Sequence, residues 1–176
     1  MELDNEEVQD VIATCRELGT SVVCYCPLGR GLLTGEFSNA HSVSGEGDIR
    51  YAAANHFFVR TSCSPSDRSF HYPRFARENL EDNAEVIKHF SNFAVVHDMT
   101  AAQLALAWLL KQGGNVIPIP GTKKMRYLKE NCEAMKMKLS CQQESEVQQL
   151  VRALPLHGTR SQENNAFSYT DTREEA

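Results

Sequence analysis

The chain has 176 residues, which suits a single domain at the usual size of roughly 100–200 residues per domain. With 41% hydrophobic and 23% charged residues it has enough apolar material for a packed core, which excludes a disordered or collagen-like chain. The net charge of −5 is opposite in sign to that expected of a protein that binds nucleic acid or an anionic membrane, so we expect neither partner.

An amphipathic helix of about four turns is predicted between Asn5, a possible N-cap, and Gly19, where the helical pattern ends. Its apolar residues recur at helical spacing: Val8, Val11, Ile12 and Cys15. The apolar run of residues 21–26 follows and stops at Pro27, as expected of a short strand that is buried on both faces.

Periodicity is lost between Gly29 and Tyr72, and we expect a long loop or insertion there, because loops of more than about 15 residues are usually functional or disordered. A helix is predicted from near Asn83, with apolar residues along one face: Val86, Ile87, Phe90 and Ala94. Residues 100–103 have the form of a capping box. They open a helix that is apolar nearly all round and therefore buried, and that ends at residues 113–114.

Residues 116–119 are interpreted as a second buried strand, although Pro118 cannot donate a sheet hydrogen bond. The next helix is marked by apolar residues at helical spacing: Met125, Leu128, Cys132 and Met135. A last helix begins at a second capping box, residues 140–143, and its apolar residues are Val147, Leu150, Val151 and Leu154. From about His157 the chain is polar, and we expect a mobile tail.

Strands that alternate with helices indicate an α/β fold with parallel strands. Two strands are nevertheless a poor sheet for five helices, because the backbone groups at both sheet edges would stay unpaired. The sequence therefore predicts that this chain is part of a larger α/β domain.

Neither a metal site nor a catalytic group is predicted from the cysteines and histidines. No Cys-x-x-Cys pair is present, and we expect reduced, buried or half-buried thiols: Cys15, Cys24, Cys26, Cys63, Cys132 and Cys141. The histidines are scattered, and we expect surface or packing roles: His41, His56, His71, His89, His97 and His157. The N-terminus shows no signal-peptide pattern, and the longest apolar stretch, residues 104–110, is shorter than the roughly 20 residues of a membrane-spanning helix. We therefore expect a cytoplasmic protein.

The first candidate site is the segment Tyr-Cys-Pro-Leu-Gly-Arg-Gly at residues 25–31. It lies at the carboxyl end of the first strand, where parallel α/β folds bind ligands. Its glycines let the backbone approach a ligand closely. The alternative is a plain Pro/Gly turn.

The second candidate site is residues 119–126, which join the second strand to the start of a helix. Unpaired backbone N–H groups and the helix dipole favour a phosphate at such a point. The segment adds one hydroxyl and three cations: Thr122, Lys123, Lys124 and Arg126. The alternative is a solvated basic face beside a turn. Glu130 and Asn131, further along that helix, either accept hydrogen bonds from an adenine or ribose, or face water.

Both segments, with the residues between them, resemble the aldo-keto reductases. The similarity is greatest to the branch of pyridoxal reductases, auxin-induced-type reductases and potassium-channel β subunits. The matching residues are in order along roughly residues 5 to 155: 15–19, 22–35, 73–75, 78–79, 100–110, 117–124 and 128–131. The resemblance implies a (β/α)8 barrel, of which residues 1–156 would form strands seven and eight with flanking helices. A loop insertion would lie at about 38–72 and a polar tail at 157–176.

The resemblance also implies that NADP(H) binds in extended form at the C-terminal mouth of the barrel. Carried over by position, Tyr25 would stack on the nicotinamide ring. The pyrophosphate would be lined by Cys26, Pro27, Leu28, Gly29, Arg30 and Gly31. The adenosine 2′-phosphate would be held by Gly121, Thr122, Lys123 and Lys124, and the adenine by Glu130 and Asn131.

Three departures from the family pattern stand out. Cys26 replaces the usual serine, and a thiol is a weaker hydrogen-bond donor than a hydroxyl. About twenty residues, from Tyr51 towards His71, interrupt the match, either as an unspliced intron or as a lineage-specific insertion. The catalytic Asp, Tyr, Lys and His of the family come from the first half of the barrel, and the chain begins in what resembles the sixth helix.

We therefore expect the C-terminal part of an NADPH-dependent reductase of aldehydes or ketones, inactive as this chain alone. The intact protein would take a small carbonyl substrate, and the chain would need its missing N-terminal half or a protein partner. One alternative is a non-catalytic regulatory subunit that senses NADP(H). The other is a truncated gene product without a function of its own.

Overall fold

A computed structural model of the chain describes residues 6–36 and 72–160. These residues form two compact units: unit 1 comprises residues 6–36 and 86–155, and unit 2 comprises residues 72–85 and 156–160. The predicted insertion at about 38–72, apart from Tyr72, lies outside the described residues, as does the predicted tail after Arg160. So do Asn5, His41, His56, Cys63 and His71.

Five α-helices and two β-strands alternate along the described residues: α1 Glu6–Glu17, β1 Val22–Tyr25, α2 Arg77–Val96, α3 Ala101–Lys111, β2 Val116–Ile119, α4 Met125–Glu133 and α5 Cys141–Ala153. Short 3₁₀-helices cover Gly29–Thr34, Pro73–Phe75 and Ala134–Lys136. The α/β organisation predicted from the sequence is confirmed.

The two strands of unit 1 pair in parallel, as the alternation of strands and helices predicts. Val22 lies opposite Val116, and Tyr25 lies opposite Ile119. The prediction that both strands are buried on both faces is wrong. Successive side chains of a strand point to opposite faces, and only one face of this pair is packed, with α3 against β2. The other face is exposed and apolar, and we call it the open face: Val23, Tyr25, Ile117 and Ile119.

Helix α3 forms the centre of unit 1. Its residues 101–109 are all buried, and it packs against β2, α4 and the 3₁₀-helices Gly29–Thr34 and Ala134–Lys136. The predicted capping box is confirmed, because Gln103 N–H donates to Thr100 Oγ1 at 3.1 Å and Thr100 N–H donates to Gln103 Oε1 at 3.0 Å. Each buried leucine of α3 contributes about 1.5–3 kcal/mol relative to an exposed one. Helix α3 therefore fixes both β2 and the segment that follows β1.

Other predicted helices are confirmed, with shifts in their limits or faces. Helix α1 is twelve residues long, and Gly19 ends it with a φ of +67°. Ile12 is buried but Val11 is exposed. Helix α2 begins at Arg77 rather than near Asn83. Helix α4 forms but ends at Glu133, and Met135, which was predicted to belong to it, lies in the following 3₁₀-helix. The other apolar residues that predict α4 are exposed, because the neighbouring elements bury the side of the helix that carries Asn131: Met125, Leu128 and Cys132.

Unit 2 is built around the start of α2. Asn79 Nδ2 donates to the Pro73 carbonyl at 2.9 Å, and Arg74 Nε donates to the Gly158 carbonyl at 3.3 Å. Residues 157 and 158 are thus held against the turn that precedes α2.

Among the described residues no single helix is long and apolar enough to cross a membrane, and only α2 and α3 taken together across a bend reach that length and hydropathy.

Candidate functional site

The two candidate segments lie at the same edge of the sheet in unit 1. Because β1 and β2 are parallel and Tyr25 is paired with Ile119, the chain leaves both strands at neighbouring points. We call residues 26–31 the first loop and residues 120–124 the second loop. Parallel sheets bind ligands outside the carboxyl ends of their strands, so the structure brings the two loops together at the position where such ligands bind.

The first loop has an irregular backbone in which four residues have positive φ. Gly29 and Gly31 adopt this conformation without steric cost, at φ values of +57° and +90°. Cys26 and Arg30 also adopt it, at +52° and +56°. A left-handed conformation costs a residue with a Cβ about 1–2 kcal/mol. The surrounding structure therefore holds the loop in a strained shape, and such strain is concentrated at functional sites.

Internal hydrogen bonds hold the first loop together. Gly29 N–H donates to the Cys26 carbonyl at 2.9 Å, and Gly31 N–H donates to the Leu28 carbonyl at 3.0 Å. Leu32 and Leu33, which follow directly, are buried in the core of unit 1. All six loop residues are half-buried. The loop is thus anchored at both ends, by β1 and by the two leucines.

Two thiols lie at this end of β1. Cys24 is on the packed face, and burial raises the pKa of its thiol. Cys26 is half-buried in the first loop. The other described cysteines are also free thiols, but Cys132 and Cys141 are exposed rather than buried as predicted, since they lie on the outer sides of α4 and α5.

The second loop is exposed and cationic. Thr122 Oγ1 accepts from the Lys124 N–H at 3.2 Å, so the threonine hydroxyl orders the turn that opens α4. Lys124 is the N-cap of α4, and no side chain caps this end of the helix. Gly121, Thr122, Lys123 and Lys124 are all exposed. Cations thus surround the helix end whose dipole and N–H groups favour an anion.

Glu130 and Asn131 lie one to two turns further along α4. Glu130 is half-buried, and Asn131 is buried at 8% exposure. Adenine recognition by these two side chains stays a prediction.

Tyr25 is the last residue of β1 and the residue of the open face nearest to the first loop. Its side chain is 62% exposed. Ile119 lies beside it on β2 and belongs to the same face. The exposed aromatic ring therefore lies at the loop edge, a position that suits stacking against a flat ligand.

A cluster of three side chains connects the end of the segment after β1 with the first turn of α4. Tyr127 donates its hydroxyl hydrogen to Glu36 Oε1 at 3.0 Å, and Arg126 Nη2 lies 3.6 Å from the same oxygen. Arg126 also donates to the Tyr127 hydroxyl. Its guanidinium lies 4.4 Å from the centre of the Tyr127 ring, and Lys124 Nζ lies 5.4 Å from that centre. The hydrogen bond to Tyr127 raises the pKa of Arg126, and the charge of Glu36 adds to the rise.

Sequence reasoning grouped Arg126 with the lysines as a phosphate ligand, whereas the structure pairs it with Glu36. It missed Glu36 and Tyr127 altogether. These two residues are 91 positions apart, and no local pattern marks a contact between residues so distant in sequence. An acidic residue beyond a glycine-rich loop was the only available signal.

No metal cluster is built around these loops in the described residues. No group of three or more His, Cys, Asp or Glu side chains there is placed to hold a metal ion. His97 lies between α2 and α5, where its Nδ1 is 3.1 Å from Gln143 Nε2 and its Nε2 is 3.8 Å from Glu146 Oε2. The ring of Phe93 packs against it. These contacts join the end of α2 to α5.

A family model for the aldo/keto reductases, described as "Aldo/keto reductase family", matches residues 2–152. The match covers both strands, both loops and all five helices apart from the last residue of α5.

Three curated aldo-keto reductases are also similar in sequence to this chain. The chain is 39% identical over 140 residues to "Aldo-keto reductase yakc [NADP(+)]" of Schizosaccharomyces pombe, an alignment covering 80% of this chain and 35% of the relative. It is 36% identical over 148 residues to "Probable aldo-keto reductase 1" of Glycine max, covering 84% and 36%. It is 32% identical over 151 residues to "Aldo-keto reductase str7" of Strobilurus tenacellus, covering 86% and 39%. The chain thus spans little more than a third of each relative's length.

Proposed function

Because this chain belongs to the aldo/keto reductase family, we propose that it is the NADP(H)-binding, C-terminal part of a reductase of aldehydes or ketones. The observation that carries the proposal is the parallel pairing of β1 with β2, which brings the two loops to one edge. The name of the Schizosaccharomyces pombe relative specifies NADP(+) for that protein. When bound, NADPH supplies the hydride that reduces the carbonyl carbon.

The cofactor's pyrophosphate is assigned to the first loop. Gly29 and Gly31 have no side chain that would keep a ligand from the backbone, and Arg30 provides the positive charge of this loop. Because the loop is anchored by β1 and by Leu32 and Leu33, it binds with little loss of conformational freedom. This preorganisation favours affinity.

The adenosine 2′-phosphate is assigned to the second loop and the start of α4. Lys123 and Lys124 are exposed there, and Thr122, which accepts a hydrogen bond from Lys124 N–H, keeps its hydroxyl hydrogen for donation. Hydrogen bonds to a charged group are roughly twice as strong as neutral ones. NADP(H) carries a phosphate that NAD(H) lacks, so these lysines favour NADP(H).

Tyr25 is assigned to orient the nicotinamide by stacking. Its ring is exposed at the loop edge. Stacking on this ring would hold one face of the nicotinamide and leave the other face of the nicotinamide open to a substrate. Proton donation to the carbonyl oxygen is assigned to the catalytic groups that the family resemblance places in the first half of the barrel. This chain therefore binds and orients the cofactor in the proposal and does not complete the reaction.

The strands β1 and β2 are proposed as strands seven and eight of a (β/α)8 barrel. The open face supports this assignment, because the interior of such a barrel is filled by inward-pointing, mostly branched apolar side chains. Val23, Ile117 and Ile119 are side chains of that type and are exposed here. Further strands of the barrel would cover them.

Nucleotide titration of the purified chain tests the proposal, with NADPH fluorescence as the readout. We expect the chain to bind NADPH more tightly than NADH. The double variant K123Q/K124Q should lose about tenfold or more in NADPH affinity, because two charge-assisted contacts to phosphate are removed. Its NADH affinity should change by less than about twofold. The matched control K136Q/K138Q removes the same charge from exposed lysines after α4.

The outcomes are distinct. Absence of nucleotide binding by the unmodified chain would contradict the proposal and favour a gene product without a function of its own. An equal loss of NADPH affinity in K123Q/K124Q and K136Q/K138Q would assign the effect to net charge rather than to the second loop. Binding without carbonyl reduction is expected of the chain alone, and NADPH oxidation by the purified chain would show that its own residues complete the catalytic site.

A further inference from the structure

The three cations at the start of α4 are not equivalent. A guanidinium suits a phosphate better than an ammonium does, because it donates two parallel hydrogen bonds in a fixed plane. Of these three cations, however, Arg126 is the one whose side chain pairs with a carboxylate of the described residues, that of Glu36. Lys123 and Lys124 have no carboxylate partner in that part of the chain. The strongest potential phosphate ligand is thus already engaged.

Tyr127 fixes this arrangement. Its hydroxyl donates to Glu36 and accepts from Arg126, so one side chain holds both members of the ion pair. Its ring also lies beneath the guanidinium. Arg126 is therefore held by three contacts rather than by the ion pair alone.

The ion pair is exposed, with 65% of each side chain accessible to solvent. Exposed ion pairs are weak, because water and salt screen them. A phosphate at the start of α4 would thus compete with Glu36 for Arg126, and the added contacts with Tyr127 favour the carboxylate by a margin that one substitution can remove. Small changes at Glu36 should shift that balance.

We propose that Glu36, held by Tyr127, is a specificity-determining residue that keeps Arg126 from the 2′-phosphate and so limits the preference for NADPH over NADH. This inference rests on the proposed function, since it requires that the 2′-phosphate binds at the start of α4. Loss of the carboxylate releases Arg126 as a third cation within one turn of Lys123 and Lys124. Arg126 and Lys124 already lie against the same Tyr127 ring, at 4.4 Å and 5.4 Å from its centre.

The test measures the dissociation constants of NADPH and NADH for the full chain and for E36Q, R126Q and E36Q/R126Q. We expect E36Q to bind NADPH about three- to tenfold more tightly, as one added charge-assisted contact allows, with NADH unchanged. R126Q alone should change NADPH affinity little, because Arg126 is already engaged. The double variant should lose the gain of E36Q. Glu17→Gln, at the exposed end of α1, is the matched control for loss of one carboxylate.

A second variant separates release of Arg126 from a general charge effect. Tyr127→Phe leaves every charge in place but removes the hydroxyl between Glu36 and Arg126, and it should give a smaller gain in NADPH affinity. Unchanged NADPH binding in E36Q, or a gain that persists in E36Q/R126Q, would overturn this inference and leave the proposed function intact. Failure of the unmodified chain to bind NADPH would overturn both.

Discussion

Asn83 binds both backbone groups of His157. Its Nδ2 donates to the His157 carbonyl at 3.0 Å, and its Oδ1 accepts from the His157 N–H at 2.8 Å. The same Nδ2 donates to the Arg74 carbonyl at 2.9 Å. Asn83 is fully buried. One side chain thus ties the segment after α5 and the turn before α2 to the helix itself within unit 2.

Replacing Asn83 with Ala should lower the free energy of unfolding by about 2–4 kcal/mol, because backbone groups are left without partners. Urea denaturation followed by circular dichroism measures this loss. Asn92→Ala, at an exposed position of the same helix, is the control and should change stability by less than about 0.5 kcal/mol. Equal effects of the two substitutions would show that the Asn83 hydrogen bonds add nothing.

Glycine is required more strictly at position 158 than at position 19, although both have positive φ, +80° and +67°. A Cβ at Gly158 would lie 2.7 Å from the backbone carbon of Pro73, whereas a Cβ at Gly19 meets nothing within 4 Å. We expect Gly19→Ala to cost about 1 kcal/mol, through backbone strain alone. Gly158→Ala should cost clearly more, because the Pro73 backbone must move. Thermal unfolding of the two variants tests this order, which equal costs would contradict.

Cysteine alkylation should follow the burial of the thiols. Cys132 and Cys141 are exposed and should react first. Burial raises the pKa of Cys24, so its reactive thiolate forms only at higher pH. With iodoacetamide, we expect Cys24 to remain unlabelled at neutral pH and to become labelled as the pH rises. Peptide mass spectrometry at a series of pH values measures this, and early labelling of Cys24 at neutral pH would show that its strand face is open.

The parts of the fold that depend on neighbours in sequence were predictable. The capping boxes at Thr100 and Ser140 are formed as expected, because each joins residues only three positions apart. Strand exposure was not predictable in the same way. An apolar run such as 116–119 shows that a strand can be buried on both faces, but the number of layers that cover it depends on other parts of the structure.

In the candidate site, too, the features set by sequence neighbours were predicted and those set by the tertiary structure were not. The two loops were found from their glycines, cations and positions after strands, and the parallel pairing of those strands brings them together. The contact of Glu36 with Tyr127 and the left-handed backbone at Cys26 were not found. Both arise from the tertiary structure, which places an exposed acid beside a distant tyrosine and forces a cysteine into a conformation more typical of glycine.

The pairing of Val22 with Val116 closes a loop between two residues that are 94 positions apart in the sequence. The entropy lost on closing a loop grows only with the logarithm of its length, so shortening this connection by the 35 residues from 37 to 71 would change the closure cost by about 0.4 kcal/mol. The stability of the sheet therefore depends only weakly on the length of the chain that connects its strands. Evolution can lengthen or shorten that connection while the two loops stay side by side.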